Sequence, residues 1–311
     1  MRLMLSGILN IDKPRGMTSH DVVDAVRRIV GLRAVGHTGT LDPEASGVLI
    51  LCLGRATRFA RFFEALEKTY WTVMRLGVCT DTQDATGTVT RQCEVPGVNA
   101  GRLQDILKQF IGPLQQIPPM YSAVKHQGQR LYQLARKGQV VAREARDVFI
   151  RRLELLDVRG PLVTLTVTCS KGTYVRTLCE DIGLALGYGA HVVHLQRCRV
   201  GPFSLHNADS LELLRQRARE GTRDTMCLPL TDALAFLPAL FLTPRQYVDL
   251  RTGQGRGLTT LLKTLTRPTL EASCYRLCMP ADKTVAVMHR QASEPRRWKL
   301  YYLEHDTFQP A

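Results

Sequence analysis

Asp42 has the setting of a side chain held for chemistry. It sits in Gly36-His37-Thr38-Gly39-Thr40-Leu41-Asp42-Pro43-Glu44-Ala45-Ser46-Gly47-Val48-Leu49, and an apolar run, Val48 to Leu53, follows directly. Glycines let a backbone take positive φ and bring its N–H groups close to a ligand. Such a loop can hold a short carboxylate rigidly above the strand that comes next. A plainer role competes with this one: Asp42 as the cap of a helical turn with Pro43 at its first position. A phosphate-binding loop is excluded, because the Gly-Lys-Ser/Thr ending is missing. Two other groups could carry chemistry. Arg55, Arg58 and Arg61 are spaced by three along a short helix, either a solvated basic face or a set of phosphate contacts. Tyr174 and Arg176 fall at a strand-to-helix junction, where side chains are aimed rather than packed.

Charge narrows the partner. Lys and Arg number 42 against 28 acids, a net +14, with arginine dominant. Planar guanidinium groups suit phosphate and stacked bases. No basic amphipathic helix stands out, so RNA or DNA is expected ahead of a membrane. Apolar residues make up 44% of the 311, with no run near the length of a membrane span and no export signal at the start. Nine cysteines are scattered without paired CxxC motifs; Cys274 and Cys278, four apart, have no matching pair. Reduced thiols in a cytoplasmic protein, without a metal, are expected.

The elements that must position these residues alternate. Gly7 to Ile11 reads as a strand, and Thr18 with Asp21 as a capping box that opens a helix with Val22, Val26, Ile29 and Val30 on one face and Gly31 at its end. After the Asp42 loop, the arginine-bearing helix turns Phe59, Phe62 and Phe63 inward. The strand from Tyr70 puts Tyr70, Thr72, Met74 and Leu76 on one face. Thr80 to Gly87 is a polar turn whose acids read as turn formers. A helix from Asn99 to Ile111 buries Leu103, Ile106, Leu107 and Phe110; a strand pair, Asp147 to Val158 and Leu162 to Cys169, turns at Arg159-Gly160-Pro161. Ser170 to Arg176 then leads into a helix ending at Gly187, followed by a strand from His191 to Val200 and a helix from Leu211 to Arg219. Hairpin-type turns beside the strands, and no GxGxxG, favour an α+β fold with a mixed, mainly antiparallel central sheet flanked by helices. A break around Leu230 to Thr243 divides the chain into 1–238 and a small β-rich unit, 239–311.

Together, Leu9-Asn10-Ile11-Asp12-Lys13-Pro14, Gly36 to Pro43, Lys68-Thr69-Tyr70, Tyr121-Ser122-Ala123-Val124-Lys125 and Lys171-Gly172-Thr173-Tyr174-Val175-Arg176 closely resemble the TruB family of tRNA pseudouridine synthases, from about Gly7 to Arg199. The resemblance implies isomerisation of uridine 55 in the T loop of tRNA, a pseudouridine synthase fold, a C-terminal PUA-like RNA-binding domain, and no cofactor or metal. By family position, Asp42 is the nucleophile and Arg176 its charge partner, which would lower the Asp42 pKa and keep it ionised. Tyr70 would stack on a flipped uracil, and Tyr174 would contact the base and assist proton removal from carbon. Leu195 would form an apolar wall, His37 would fill the space vacated in the RNA loop, and Lys171 would bind substrate. Arg58, where lysine is frequent, keeps a phosphate contact available. Attack on base or on sugar stays open. Leu242 to Gln246 with Gly253 fits the opening of the PUA-like domain, whereas Arg256 to Met279 follows no recognised pattern. Without the long basic tail of guide-RNA-dependent relatives, a monomeric stand-alone enzyme is expected. A tRNA-folding chaperone and a synthase for another RNA are the competing readings.

Overall fold

The computed structural model describes residues 5–221, 226–252, 261, 272–280, 283–291 and 294–303. A nine-stranded sheet forms its main body. Its path runs Gly7–Lys13, Ser46–Leu53, Ala190–Val200, Lys68–Leu76, Leu162–Cys169, Arg146–Arg159, Gly112–Gln116, with Val35–His37 and Phe203–Ser204 pairing off it. Ala190–Val200 pairs parallel with Ser46–Leu53, and the other pairings of this sheet are antiparallel. The fold is therefore α+β with a mixed, mainly antiparallel sheet.

The unbroken apolar run after the Asp42 loop has a simple cause. Its strand, Ser46–Leu53, is covered on both faces, so alternation would put polar groups into a core. Leu49, Leu51 and Leu53 pack with the helix Ser19–Val30 and with Leu211 and Leu214 of the helix Leu211–Arg219. Val48, Ile50 and Cys52 face Phe59, Phe62 and Phe63 on the other side. The helix Ser19–Val30 begins at the reciprocal Thr18–Asp21 capping box and ends at Gly31, φ 68°, as its sequence signals predict. The antiparallel half of the sheet alternates instead: Tyr70, Met74 and Leu76, with Val163, Leu165 and Val167, pack beneath the helices Ala100–Gln109 and Val175–Leu186.

Lys13 ties these layers to the loop. Its side chain is fully buried, and its ammonium donates to the carbonyls of Pro14 (2.8 Å), Met17 (2.6 Å) and Pro43 (3.1 Å). Burial pulls its pKa down to about 8. Lys13→Met matches the length and removes the donor, leaving three carbonyls to share no cation. A loss of about 1–3 kcal/mol in urea unfolding is expected, because unmet buried acceptors outweigh the charge burial that is relieved. Unchanged stability would mean that the three bonds contribute nothing.

A separate small sheet follows in the chain: Ala239–Phe241, Cys274–Met279, Lys283–Gln291 and Glu294–Tyr302, with the helix Pro244–Thr252. Its own core includes Leu242, Leu250, Tyr275, Leu277 and Met288. Gly253 and, apart from Leu261, residues 256–271 lie outside the described residues. The small sheet meets the main body at Tyr301, whose ring packs on Phe59 and edge-on to Phe62. Arg61 donates to the Tyr301 hydroxyl at 2.7 Å and lies over its ring. The inward phenylalanines are as the sequence predicts, but Arg61 is not a free member of a basic face. A residue 240 positions away holds it, a contact that local spacing cannot reveal.

Candidate active site

Three segments hold the Asp42 loop. Thr38 N–H donates to Ile50 O (3.0 Å), and Ser19 Oγ both accepts from Leu41 N–H (2.8 Å) and donates to Leu41 O (3.0 Å). Arg197, 2% exposed, donates to the carbonyls of Val48 (2.7 Å), Gly39 (3.0 Å) and Thr40 (3.4 Å). Gly47, at φ 102°, passes so close to this arginine's backbone that a Cβ would stand 2.3 Å from Arg197 O. Only glycine fits there, so one loop glycine serves close packing.

Held this way, Asp42 turns its side chain away from its own turn. Ala45 N–H bonds the Asp42 carbonyl at 3.1 Å, and the carboxylate faces Arg176. The capping alternative is therefore wrong. Arg176 Nε lies 2.9 Å from Oδ2 and Nη2 3.2 Å from Oδ1, a two-point pair. The rest of the guanidinium is also used: Nη1 donates to Thr82 O at 2.9 Å and lies 3.6 Å from Asp84 Oδ2, while Nη2 donates to Tyr121 O at 2.8 Å. Arg176 is 5% exposed, whereas 36% of the Asp42 side chain remains open. The carboxylate is presented and the cation is enclosed.

Electrostatics correct one expectation. Burial pushes the Asp42 carboxyl above its ordinary value; Arg176 pulls it down, and Asp84 pushes it up again. Burial is the largest influence, so the guanidinium offsets its cost without reversing it, and Asp84 adds to the rise. Both Asp42 oxygens nevertheless lie against a cation, Oδ1 accepting from Nη2 and Oδ2 in an ion pair with Nε, which is the arrangement that favours the ionised form.

A groove of about 520 Å³ opens beside the pair, and Asp42, Tyr70, Lys171, Tyr174, Arg176 and Leu195 all line it. Tyr70 is 8% exposed on the buried face of its strand, with the Arg197 guanidinium at its hydroxyl. Tyr174 stands at the start of the helix Val175–Leu186, clamped by Gln116: its N–H donates to Gln116 Oε1 (2.9 Å), and Gln116 Nε2 donates to its carbonyl (3.3 Å). Its hydroxyl is turned toward Ser122, close enough to act on its pKa, but Ser122 Oγ completes no hydrogen bond of normal geometry. Leu195 is half-buried and Lys171 exposed at the rim.

Two expected binding residues stand outside this groove. His37 is half-buried on the strand Val35–His37, and its Nδ1 accepts from Gly39 N–H at 3.3 Å. Arg58 is exposed on the 3-10 turn Gly54–Phe59. Neither lines the cavity. The sequence reading also missed Asp84, Gln116 and Arg197. For Asp84 the turn reading is half right: Oδ1 accepts from Thr82 Oγ1, Thr86 N–H and Thr86 Oγ1, and Oδ2 faces Arg176. Among the described residues, no group of histidine, cysteine, aspartate and glutamate could hold a metal ion. No described helix is long and apolar enough to cross a membrane.

Comparison with known proteins gives this geometry a family. Residues 27–175 match the family model for the N-terminal domain of TruB family pseudouridylate synthase, and residues 176–235 match that for the C-terminal domain of tRNA pseudouridylate synthase B. The tRNA pseudouridine synthase B of Pseudomonas paraeruginosa is 48% identical over 246 residues, 78% of this chain and 81% of that protein. That of Geobacillus thermodenitrificans is 41% identical over 298 residues, 94% of this chain and 97% of its own length. Among solved structures, a Cbf5–Nop10–Gar1 complex contains a chain with a TM-score of 0.67 and 25% identity, matching 95% of this chain and 82% of that one. The chain belongs to the TruB family of tRNA pseudouridine synthases, isomerases that act on tRNA.

Proposed function

We propose that this chain converts uridine 55 in the T loop of tRNA to pseudouridine, with Asp42 as the nucleophile. The observation that carries the reading is the enclosed Arg176 fork presenting a carboxylate to an open groove beside Tyr70. The isomerisation breaks the bond from the sugar C1′ to N1 and forms one to C5. The C5 proton is lost, N1 gains one, and no electrons are transferred. A transient bond to one carboxylate suffices, whether on sugar or ring, and the acid returns free.

Such a site cannot reach a stacked base, so the uridine is flipped out at a cost of roughly a few kcal/mol. Stacking on Tyr70, worth about 1–3 kcal/mol, offsets much of that cost. Tyr174, on the helix side, contacts the ring and assists loss of the C5 proton. Leu195 closes the apolar wall. Lys171 at the rim, and Arg58 and His37 outside the groove, meet the RNA where it leaves the cavity. Residues 239–311 act as a PUA-like RNA-binding unit beside the catalytic 1–238, and the enzyme works as a cytoplasmic monomer without a cofactor.

Carbodiimide primer extension on tRNA tests this directly. The wild type should give a new stop at position 55, and an isolated T stem-loop should suffice as substrate. A tRNA that leaves the reaction with uridine 55 intact would sink the assignment. With a net charge of +14, tRNA binding should also weaken by about 10³-fold or more between 50 and 200 mM salt. A flat response would remove the argument from phosphate contacts.

A further inference from the structure

Gln83 has positive φ, 62°, which among the described non-glycine residues it shares with Gln127 of a tight hairpin. The left-handed region disfavours a side chain at this position, so other contacts must hold Gln83 there. Its backbone is fixed to the sheet: Val192 N–H donates to Gln83 O (3.0 Å), and Ala85 N–H donates to Val192 O (2.9 Å). Its side chain is fixed to a helix. Nε2 donates to the Glu180 carboxylate, and Oε1 accepts from Thr177 Oγ1 at 3.0 Å. The amide orientation follows from this, since a carboxylate can only accept and the hydroxyl supplies the remaining proton.

Both partners belong to the helix Val175–Leu186, which carries Arg176: Thr177 is the next residue and Glu180 is one turn further. The neighbours of Gln83 on its own loop are the two groups that hold the inner nitrogen of that arginine. Thr82 O accepts from Arg176 Nη1 at 2.9 Å, and Asp84 Oδ2 lies 3.6 Å from it. Neither Gln83 nor Glu180 lines the groove. We infer that Gln83 and Glu180 are positioning residues: their hydrogen bond staples the 80–87 loop to the helix, and so fixes the angle at which the Arg176 fork meets Asp42. The staple acts through Thr82 and Asp84, and it rests on the reading of Asp42 as nucleophile.

Glu180→Ala, Glu180→Gln, Gln83→Gly, Asp84→Asn and the double variant of Glu180→Ala with Asp84→Asn form the test. Single-turnover release of tritium from tRNA labelled at uridine C5 reads the rate whichever uridine is the target, and filter binding reads affinity. Wild-type release, lost in Asp42→Asn, checks the underlying reading separately. Glu180→Ala should slow release about 10- to 100-fold with tRNA affinity within about twofold, the scale expected when a catalytic group is misplaced. Glu180→Gln should restore the rate, since its amide oxygen still accepts from Gln83. The double variant should be no slower than its slower single parent, because both changes release the same nitrogen. Gln83→Gly keeps the backbone angle at ease, and carries the test if Glu180→Ala folds poorly. An unchanged rate in Glu180→Ala and Gln83→Gly, a multiplication of the two losses, or a loss confined to affinity would overturn the staple.

Discussion

Asp42→Asn is expected to lower tRNA isomerisation by at least about 10⁴-fold, the scale seen when a covalent nucleophile is removed. Asparagine keeps the shape, but its amide neither attacks carbon nor carries charge, and its NH₂ meets a guanidinium N–H instead of accepting one. Binding should change little, because the groove is otherwise intact and Asp42 is one part of its wall. The fold should survive, since Arg176 keeps Thr82 O, Tyr121 O and Asp84. The wild type carries a matching pH signature. Attack needs the ionised carboxylate, and its pKa is raised, so the acid limb of kcat/KM should sit above the ordinary value of 3.8 and fall tenfold per unit below the raised value. Stability runs the other way. The native state holds this proton more tightly than the unfolded chain, so the stabilising effect is complete below 3.8 and is lost as pH rises through the native pKa. Asp42→Asn should remove both slopes together. An asparagine variant that still turns over at a tenth of the wild-type rate would exclude Asp42 as the nucleophile.

The meeting of Asp42 with Arg176 was legible through the family resemblance, because the loop alone left a capping role open. Glycine and proline crowd around Asp42 just before an apolar run, and Tyr174 and Arg176 repeat the pattern of polar residues at a junction. The sheet explains why residues so far apart meet. Ala190–Val200, with Leu195, lies between the strand that follows Asp42 and the strand that carries Tyr70, and the chain leaves Leu162–Cys169 toward Arg176 next to it. Local signals also placed the capping box, the Gly31 stop and the inward phenylalanines. Contacts set only by tertiary placement were not legible. Gln116 looks like any polar residue at the end of an edge strand, yet it clamps Tyr174 across 58 positions. Arg197 reads as one more arginine in a basic chain, yet its buried guanidinium holds three carbonyls near Asp42 and approaches the Tyr70 hydroxyl. Asp84 was read through its turn because that half of its bonding is local. Arg176 does lower the Asp42 pKa as expected, but the net rise was not legible, since the extent of burial and the nearness of Asp84 are set by the fold.

Arg176→Lys should cost about 10²–10³-fold in turnover, although the charge is kept. The native fork reaches both Asp42 oxygens side-on and also satisfies two backbone carbonyls and a second carboxylate. An ammonium has three donors on a flexible stem and cannot span these positions at once. Asp42 would keep an attractive charge while losing its fixed orientation, so the loss should appear in kcat with tRNA affinity nearly unchanged. Arg176→Met separates orientation from charge. Arg176 is the largest influence lowering the Asp42 pKa, and Asp84 would be left as an unopposed like charge nearby. Removing the cation therefore favours the protonated acid and should move the acid limb of kcat/KM to higher pH. Asp84→Asn removes a raising influence and should move the same limb to lower pH. Opposite displacements from two residues of opposite charge near one carboxylate are hard to produce by general loosening of the fold, which would not move the limb in opposite directions. If the acid limb stays in place in both variants, the group titrating there is not Asp42, and the role given to the Arg176 fork fails with it.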